Sequence, residues 1–173
     1  MTSSGPLAEY QKQIESGDIK PDSVQETACQ ELQRLYEELT VEKQQERKSS
    51  LFQRMFSSPP KEKNLVQSPK GIYMHGGVGR GKSMLMDLFV ENLSIPNRRV
   101  HFHAFMQEIH NSLHKARSSG VKDPLALVAN EVIKNFKVLA LDEMQIKDIT
   151  DAMIVGRLFK LLFDSGVIII TTS

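Results

Sequence analysis

The stretch Gly71 to Ser83, GIYMHGGVGRGKS, brings glycines, a lysine and a hydroxyl together at a spacing suited to holding phosphate. Gly76, Gly77, Val78, Gly79, Arg80, Gly81, Lys82 and Ser83 fit the pattern G-x-x-x-x-G-K-[ST] without a gap. Glycines let the backbone turn with positive φ and present its N–H groups to phosphate oxygens, where a Cβ would obstruct the approach. Lys82 supplies a mobile positive charge for the β- and γ-phosphates, and the Ser83 hydroxyl is a hard oxygen ligand for Mg²⁺. Met84 follows at the start of an expected helix whose unpaired N-terminal amides would face the same phosphates. A glycine-rich turn that merely joins a strand to a helix is the plain alternative, so a second motif has to decide.

Lys137 to Glu143, KVLALDE, is that motif, an apolar strand ending in two carboxylates. It looks like a Walker B element. In that reading Asp142 belongs to the Mg²⁺ shell and Glu143 orients or polarises an attacking water. Two exposed acids at a strand end is the alternative, and the phosphate loop upstream in the same α/β pattern counts against it. Histidine offers a weaker constellation. His101 and His103 alternate on an expected strand, and His110 and His114 stand four apart on an expected helix. Such helical spacing resembles half of a zinc site, but no HExxH pattern or cysteine completes it, so polar packing is the expected role. Phe102, Phe105, Phe136, Phe159 and Phe163 lie in expected core elements without an interleaved basic cluster, which favours core packing over base stacking.

Positioning these groups takes strands alternating with helices. Gly71–Met74 is expected as a buried strand, Lys82–Asn92 as a helix, and Arg99–Ala104 as a strand with Val100, Phe102 and Ala104 on one face. A helix over Phe105–Ala116, another around Leu125–Asn135, a strand over Val138–Leu141 and a helix over Asp151–Phe163 capped by Thr150 follow, before the β-branched strand Val167–Thr172. Such alternation predicts a parallel sheet with right-handed crossovers. Residues 1–50 read as an N-terminal helical segment and linker, and 51–173 as the core. In the first part Val24, Ala28, Leu32, Leu35 and Leu39 recur at helical spacing, with Asp22 and Gln25, or Ser23 and Glu26, as a capping box. That amphipathic face is expected to cover the core rather than hold a partner. Thr40–Ser50 reads as a solvated helix end or linker, Leu51, Phe52, Met55 and Phe56 as an apolar anchor, and Ser57–Lys70 as a loop.

Composition narrows the setting. In 173 residues, 22 basic and 21 acidic side chains nearly cancel, so nothing marks the chain as a nucleic-acid binder, and no apolar run is long enough to span a membrane. One cysteine, Cys29, excludes an intramolecular disulfide and suits a reducing compartment. The first residues make neither a secretory signal nor a good mitochondrial presequence, so the cytoplasm is expected, and a mitochondrial setting would require an import signal outside this chain.

At this point the residues resemble a known group. GGVGRGKSMLMD from Gly76, RRVHFHAFMQEIH from Arg98, DPLALVA from Asp123, LALDEMQIKDITDAM from Leu139 and GVIIITTS from Gly166 are similar to the ZapE cell-division ATPases of bacteria, relatives of the mitochondrial lactation-elevated-protein ATPases in the AAA+ superfamily. The likeness runs from about Leu51 to Ser173 and is weaker in the N-terminal helices. It implies a P-loop NTPase fold, three-layer αβα with a parallel sheet, preceded by N-terminal helices and incomplete at the C-terminus. It further implies an ATP- and Mg²⁺-dependent mechanochemical hydrolase, oligomeric and peripheral to a membrane in some settings. An FtsZ-like division protein in bacteria, or inner-membrane proteins in mitochondria, would be its partners. Residue by residue it carries nucleotide binding onto Gly76–Ser83 and Met84, magnesium onto Ser83 and Asp142, and catalysis onto Lys82 and Glu143. Met144 stands where the family often has phenylalanine. The family's polar sensor, arginine finger, fifth strand and helical lid would follow Ser173, so the expectation for this chain is ATP binding with slow hydrolysis. A non-enzymatic partner-binding fragment with structural ATP, and a P-loop kinase, are the rival readings.

Overall fold

The computed structural model describes residues 5–55 and 69–173, with the side chains of 45–55 set aside. Two helices, α1 (Pro6–Glu15) and α2 (Ser23–Met55), precede β1 (Ile72–Met74), α3 (Lys82–Asn92) and β2 (Asn97–His101). Then come α4 (Phe102–Ser118), α5 (Pro124–Asn135), β3 (Val138–Asp142), α6 (Ile149–Asp164) and β4 (Ile168–Thr172). The four strands form one parallel sheet in the order β1-β4-β3-β2. Strands β3 and β4 are buried along their whole length, as their unbroken apolar runs require of strands covered on both faces.

Alternate residues of those strands feed two cores. Leu139, Leu141 and Ile169 face α4, α5 and α6, where Phe105, Ile109, Val128, Leu158 and Leu162 meet them. Val138, Ala140, Ile168 and Ile170 face the other way, toward Leu85, Met86 and Phe89 of α3 and Leu32 and Leu35 of α2. Helices therefore cover both faces, giving three layers, with α1 and α2 packed into the second core through Tyr10, Cys29, Leu32 and Leu39. The amphipathic face read from the sequence is thus spent on the core from Ala28 to Leu39, while Val24 at its start is left exposed. Cys29 is fully buried, and burial first, with Glu26 nearby, pushes its thiol up to about 11. A thiol reagent at neutral pH is expected to leave Cys29 unmodified in the native chain and to label it fully in denaturant; rapid native labelling would contradict this packing.

Several expectations are corrected. The second strand ends at His101, and Phe102 opens α4, so Phe102 and Ala104 are helical and His103 does not share a strand face with His101. Phe102, Phe105, Met106, Ile109, Leu113 and Ala116 form one buried helical stripe, and this long 3.6-residue period overrides the short alternation at its start. The cap of α6 is Asp148, whose Oδ1 accepts from the Asp151 N–H at 2.8 Å; Thr150 lies inside the first turn. Of the two readings of Thr40–Ser50, the helix end holds and the linker does not, since α2 runs on to Met55. Asp22 caps α2 by accepting from Val24 N at 2.8 Å and Gln25 N at 3.1 Å, while the Gln25 side chain donates to the Arg80 carbonyl rather than completing a capping box. The apolar anchor at Leu51–Phe56 and most of the loop before β1 lie outside the described residues and side chains. Among the described residues no helix is long and apolar enough to cross a membrane.

Candidate nucleotide site

Parallel register brings the C-terminal ends of the strands to one rim. Met74 is paired with Thr172 and His101 with Asp142, and the loops leaving these ends carry both motifs. Open parallel sheets place ligands at this edge. Between β1 and α3 the loop Gly76–Arg80 lies exposed, with Gly79 at φ 76° and Gly81 at φ 78°. A side chain at Gly81 would be strained by that φ and would also meet Gln25 Nε2 at 2.8 Å. Gly81 is the N-cap of α3 and offers no side-chain bond, so the first-turn amides of the helix carry no side-chain cap. Lys82 folds back over the loop, its Nζ donating to Gly76 O at 2.7 Å and Gly77 O at 2.8 Å. The ammonium thus already stands inside the loop's curve.

The two motifs meet in a hydrogen bond. Ser83 Oγ donates to Asp142 Oδ1 at 3.1 Å, across 59 residues of sequence. Thr172 Oγ1 donates to the same oxygen, and its lone pairs accept from the Glu143 N–H at 2.9 Å. Asp142 Oδ2 faces Arg99 Nη2 at 2.8 Å. Burial works against the charge of Asp142, but the bonds from Thr172 and Ser83 and the charges of Arg99 and His101 together hold its carboxyl below the usual range. This carboxylate therefore stabilises the fold above the ordinary carboxylate pKa, and that contribution is lost as pH falls through its depressed value.

Glu143 follows at φ 55°, a left-handed conformation unusual for glutamate, held by the Thr172 contact and by the Met144 N–H donating to Thr172 O at 2.6 Å. Its side chain is exposed at the rim. All the sequence-predicted residues therefore lie on one edge. Val78 is fully exposed at the loop tip, and the Arg80 side chain turns toward Asp22 at 3.6 Å while its carbonyl accepts from Gln25 Nε2 at 3.2 Å.

A cleft of ≈ 420 Å³ opens beside Gly81 and Met84, walled by Ile19, Pro21, Asp22 and Gln25 of the α1–α2 connection and the start of α2. Sequence reasoning did not single out Arg99, Thr172, Asp22 and Gln25 as parts of this edge. Their participation depends on which strand pairs with which, and on where α2 docks. Elsewhere His103 contacts Gln107 and His110 contacts Asp151 at 2.7 Å, and among the described residues no three His, Cys, Asp or Glu side chains cluster as a metal site.

The arrangement suits a hard cation. Ser83, in donating its proton to Asp142, keeps its oxygen lone pairs for a ligand, and a hydroxyl beside one buried carboxylate is the sparse oxygen set that Mg²⁺ takes when phosphates and water complete its shell.

Comparison with known proteins identifies the family. A model of the family described as AFG1-like ATPase matches residues 4–173, which include α1 and α2. The chain is 39% identical over 176 residues to the cell division protein ZapE of Escherichia coli (strain K12), covering 100% of this chain and 46% of that protein. It is 41% identical over 124 residues to lactation elevated protein 1 homolog B of Danio rerio, covering 65% of this chain and 24% of that protein. The chain thus spans less than half the length of these curated relatives. Among solved structures, the crystal structure of DnaI superposes with a TM-score of 0.53 at 17% identity, over 91% of this chain and 70% of that one, a likeness of fold.

Proposed function

From the premise that the chain belongs to the AFG1-like ATPase family, in the three-layer α/β P-loop fold of the AAA+ type, we propose that it binds ATP at Gly76–Met84 and serves the whole protein as its ATP-hydrolysing core. The observation that carries this reading is the Ser83–Asp142 hydrogen bond, because it joins a phosphate loop to a buried carboxylate at the sheet edge where such sites lie. The amides of the loop and of the first turn of α3 bind phosphate oxygens. Lys82 exchanges its two carbonyl partners for the β- and γ-phosphates. Ser83 and Asp142 would hold Mg²⁺, which when bound neutralises charge on the phosphates. Glu143 orients a water at the rim and takes its proton. The base lies in the cleft between Met84 and the α1–α2 connection.

Fast hydrolysis also needs a positive group at the γ-phosphate, worth about 10³–10⁵ in rate. Among the described residues Arg80 is paired with Asp22, Arg157 with Asp123, and Arg99 with Asp87 and Asp142, so none of these three is free to serve. The chain alone is therefore expected to turn over ATP slowly, below about 10⁻² s⁻¹ in a phosphate-release assay, with Glu143→Gln removing the remainder while ATP binding persists. A rate of several per second, or a rate indifferent to Glu143→Gln, would overturn this part of the account. By likeness to the cell division protein ZapE, the setting we infer for the whole protein is cell division; a protein quality-control assembly built on oligomers, cytoplasmic or mitochondrial, is what the family resemblance adds to this proposal.

A further inference from the structure

Arg99 belongs to neither motif, yet it touches the centre of the site. It stands on β2, where the register sets it opposite Ala140, and its side chain crosses toward two carboxylates. Nη2 donates to Asp142 Oδ2 at 2.8 Å, and Nε stands 2.6 Å from Asp87 Oδ1 as an ion pair whose N–H is not aligned for a hydrogen bond. Asp87 lies four residues beyond Ser83 on α3, one turn along the same helix. Arg99 therefore ties the helix that issues from the phosphate loop to the strand that ends in Asp142.

Asp142 is 1% exposed, and a carboxylate so buried keeps its charge only where every oxygen is satisfied. Ser83 and Thr172 occupy Oδ1, which leaves Arg99 as the partner given to Oδ2. Because Oδ2 is pinned from the β2 side, Oδ1 is turned toward Ser83. A lysine keeps the charge but, as a compact ammonium on a flexible stem, holds the carboxylate's orientation less firmly.

We propose that Arg99 is a positioning residue, braced by Asp87, that fixes the Asp142 carboxylate against Ser83 and so sets how strongly Mg²⁺ tightens nucleotide binding. This rests on the assignment of Ser83 and Asp142 as the cation-holding pair. Partners that orient metal-binding groups from behind are worth about 10–100-fold in metal affinity. The distinguishing consequence is selective: the loop and Lys82 hold phosphate without Arg99, so binding in the absence of Mg²⁺ stays intact.

The test is titration of a fluorescent ADP analogue into the chain, once with Mg²⁺ and once with EDTA. For Arg99→Met, affinity in EDTA is expected to change less than about twofold, while the gain conferred by Mg²⁺ shrinks about tenfold or more. Arg99→Lys should recover part of that gain. Asp87→Asn, at a half-exposed position, should reduce it by about threefold and supplies the measurement if Arg99→Met does not fold. Equal losses with and without Mg²⁺ would assign Arg99 a merely structural role and overturn the proposal. So would an unchanged Mg²⁺ gain in Arg99→Met and Asp87→Asn beside an intact wild-type gain. A wild-type chain that binds the nucleotide with no gain from Mg²⁺ would instead overturn the cation-site assignment, and this proposal with it.

Discussion

Lys82→Ala is expected to weaken ATP binding by about 10–100-fold, the worth of a charge-assisted contact to phosphate at roughly 1.5–3 kcal/mol, while leaving the fold intact. The contrast follows from where the lysine is anchored. Among the described residues its hydrogen-bond partners are the carbonyls of Gly76 and Gly77 in an exposed loop, and these take water in its place when the side chain is removed. The Cα of Lys82 sits at the first position of α3, where alanine is a good helix former. Binding and melting should therefore separate: the titration moves by an order of magnitude or more, and the melting temperature by no more than about 2 °C. Loss of binding accompanied by unfolding would show that Lys82 acts by building the loop rather than by meeting phosphate.

The opposite separation is expected at Phe89. This ring is fully buried on α3, among side chains of the sheet and of α2, and belongs to the core that holds the phosphate-loop helix against the strands. Phe89→Ala removes its contacts and leaves a cavity that packed neighbours fill only in part, at a cost of about 3–5 kcal/mol. For a chain of this size that lowers the melting temperature by roughly 10 °C, checked by thermal denaturation. Because α1 and α2 share this core, their melting should move with that of the sheet. A melt in which the N-terminal helices come apart separately, with the sheet unshifted, would contradict the single shared core.

How much of this was legible beforehand depended on the range of the interaction that decided each feature. The helix Lys82–Asn92 and the strand that runs into Asp142 are set by neighbours in sequence, through glycine punctuation and unbroken apolar runs, and both stand where the sequence puts them. The start of α4 was hidden because Val100, Phe102 and Ala104 satisfy a two-residue period while Phe102, Phe105, Met106 and Ile109 satisfy a helical one, and only packing against β3 and α5 selects the second. Asp148 was passed over as a cap because Thr150 offers a similar side-chain oxygen two residues on, and the bond to the Asp151 amide decides between them. Arg99 and Thr172 were illegible for a different reason. Their partner Asp142 lies 43 and 30 residues away in sequence, and only the strand order β4-β3-β2 makes them neighbours.

The left-handed backbone of Glu143 belongs to the same class. Nothing local asks for φ 55° at a glutamate, and the bonds from the Glu143 and Met144 amides to Thr172 hold it. A strained residue held at a strand end beside a phosphate loop fits the task of aiming one carboxylate while its neighbour Asp142 stays buried.

Isothermal titration of ATP with Mg²⁺ into the wild-type chain tests the central claim most directly. Saturable one-to-one binding, strongly reduced in Lys82→Ala, is the predicted result; absence of saturable binding by a folded wild-type chain, or binding indifferent to that substitution, would contradict a nucleotide site at Gly76–Ser83.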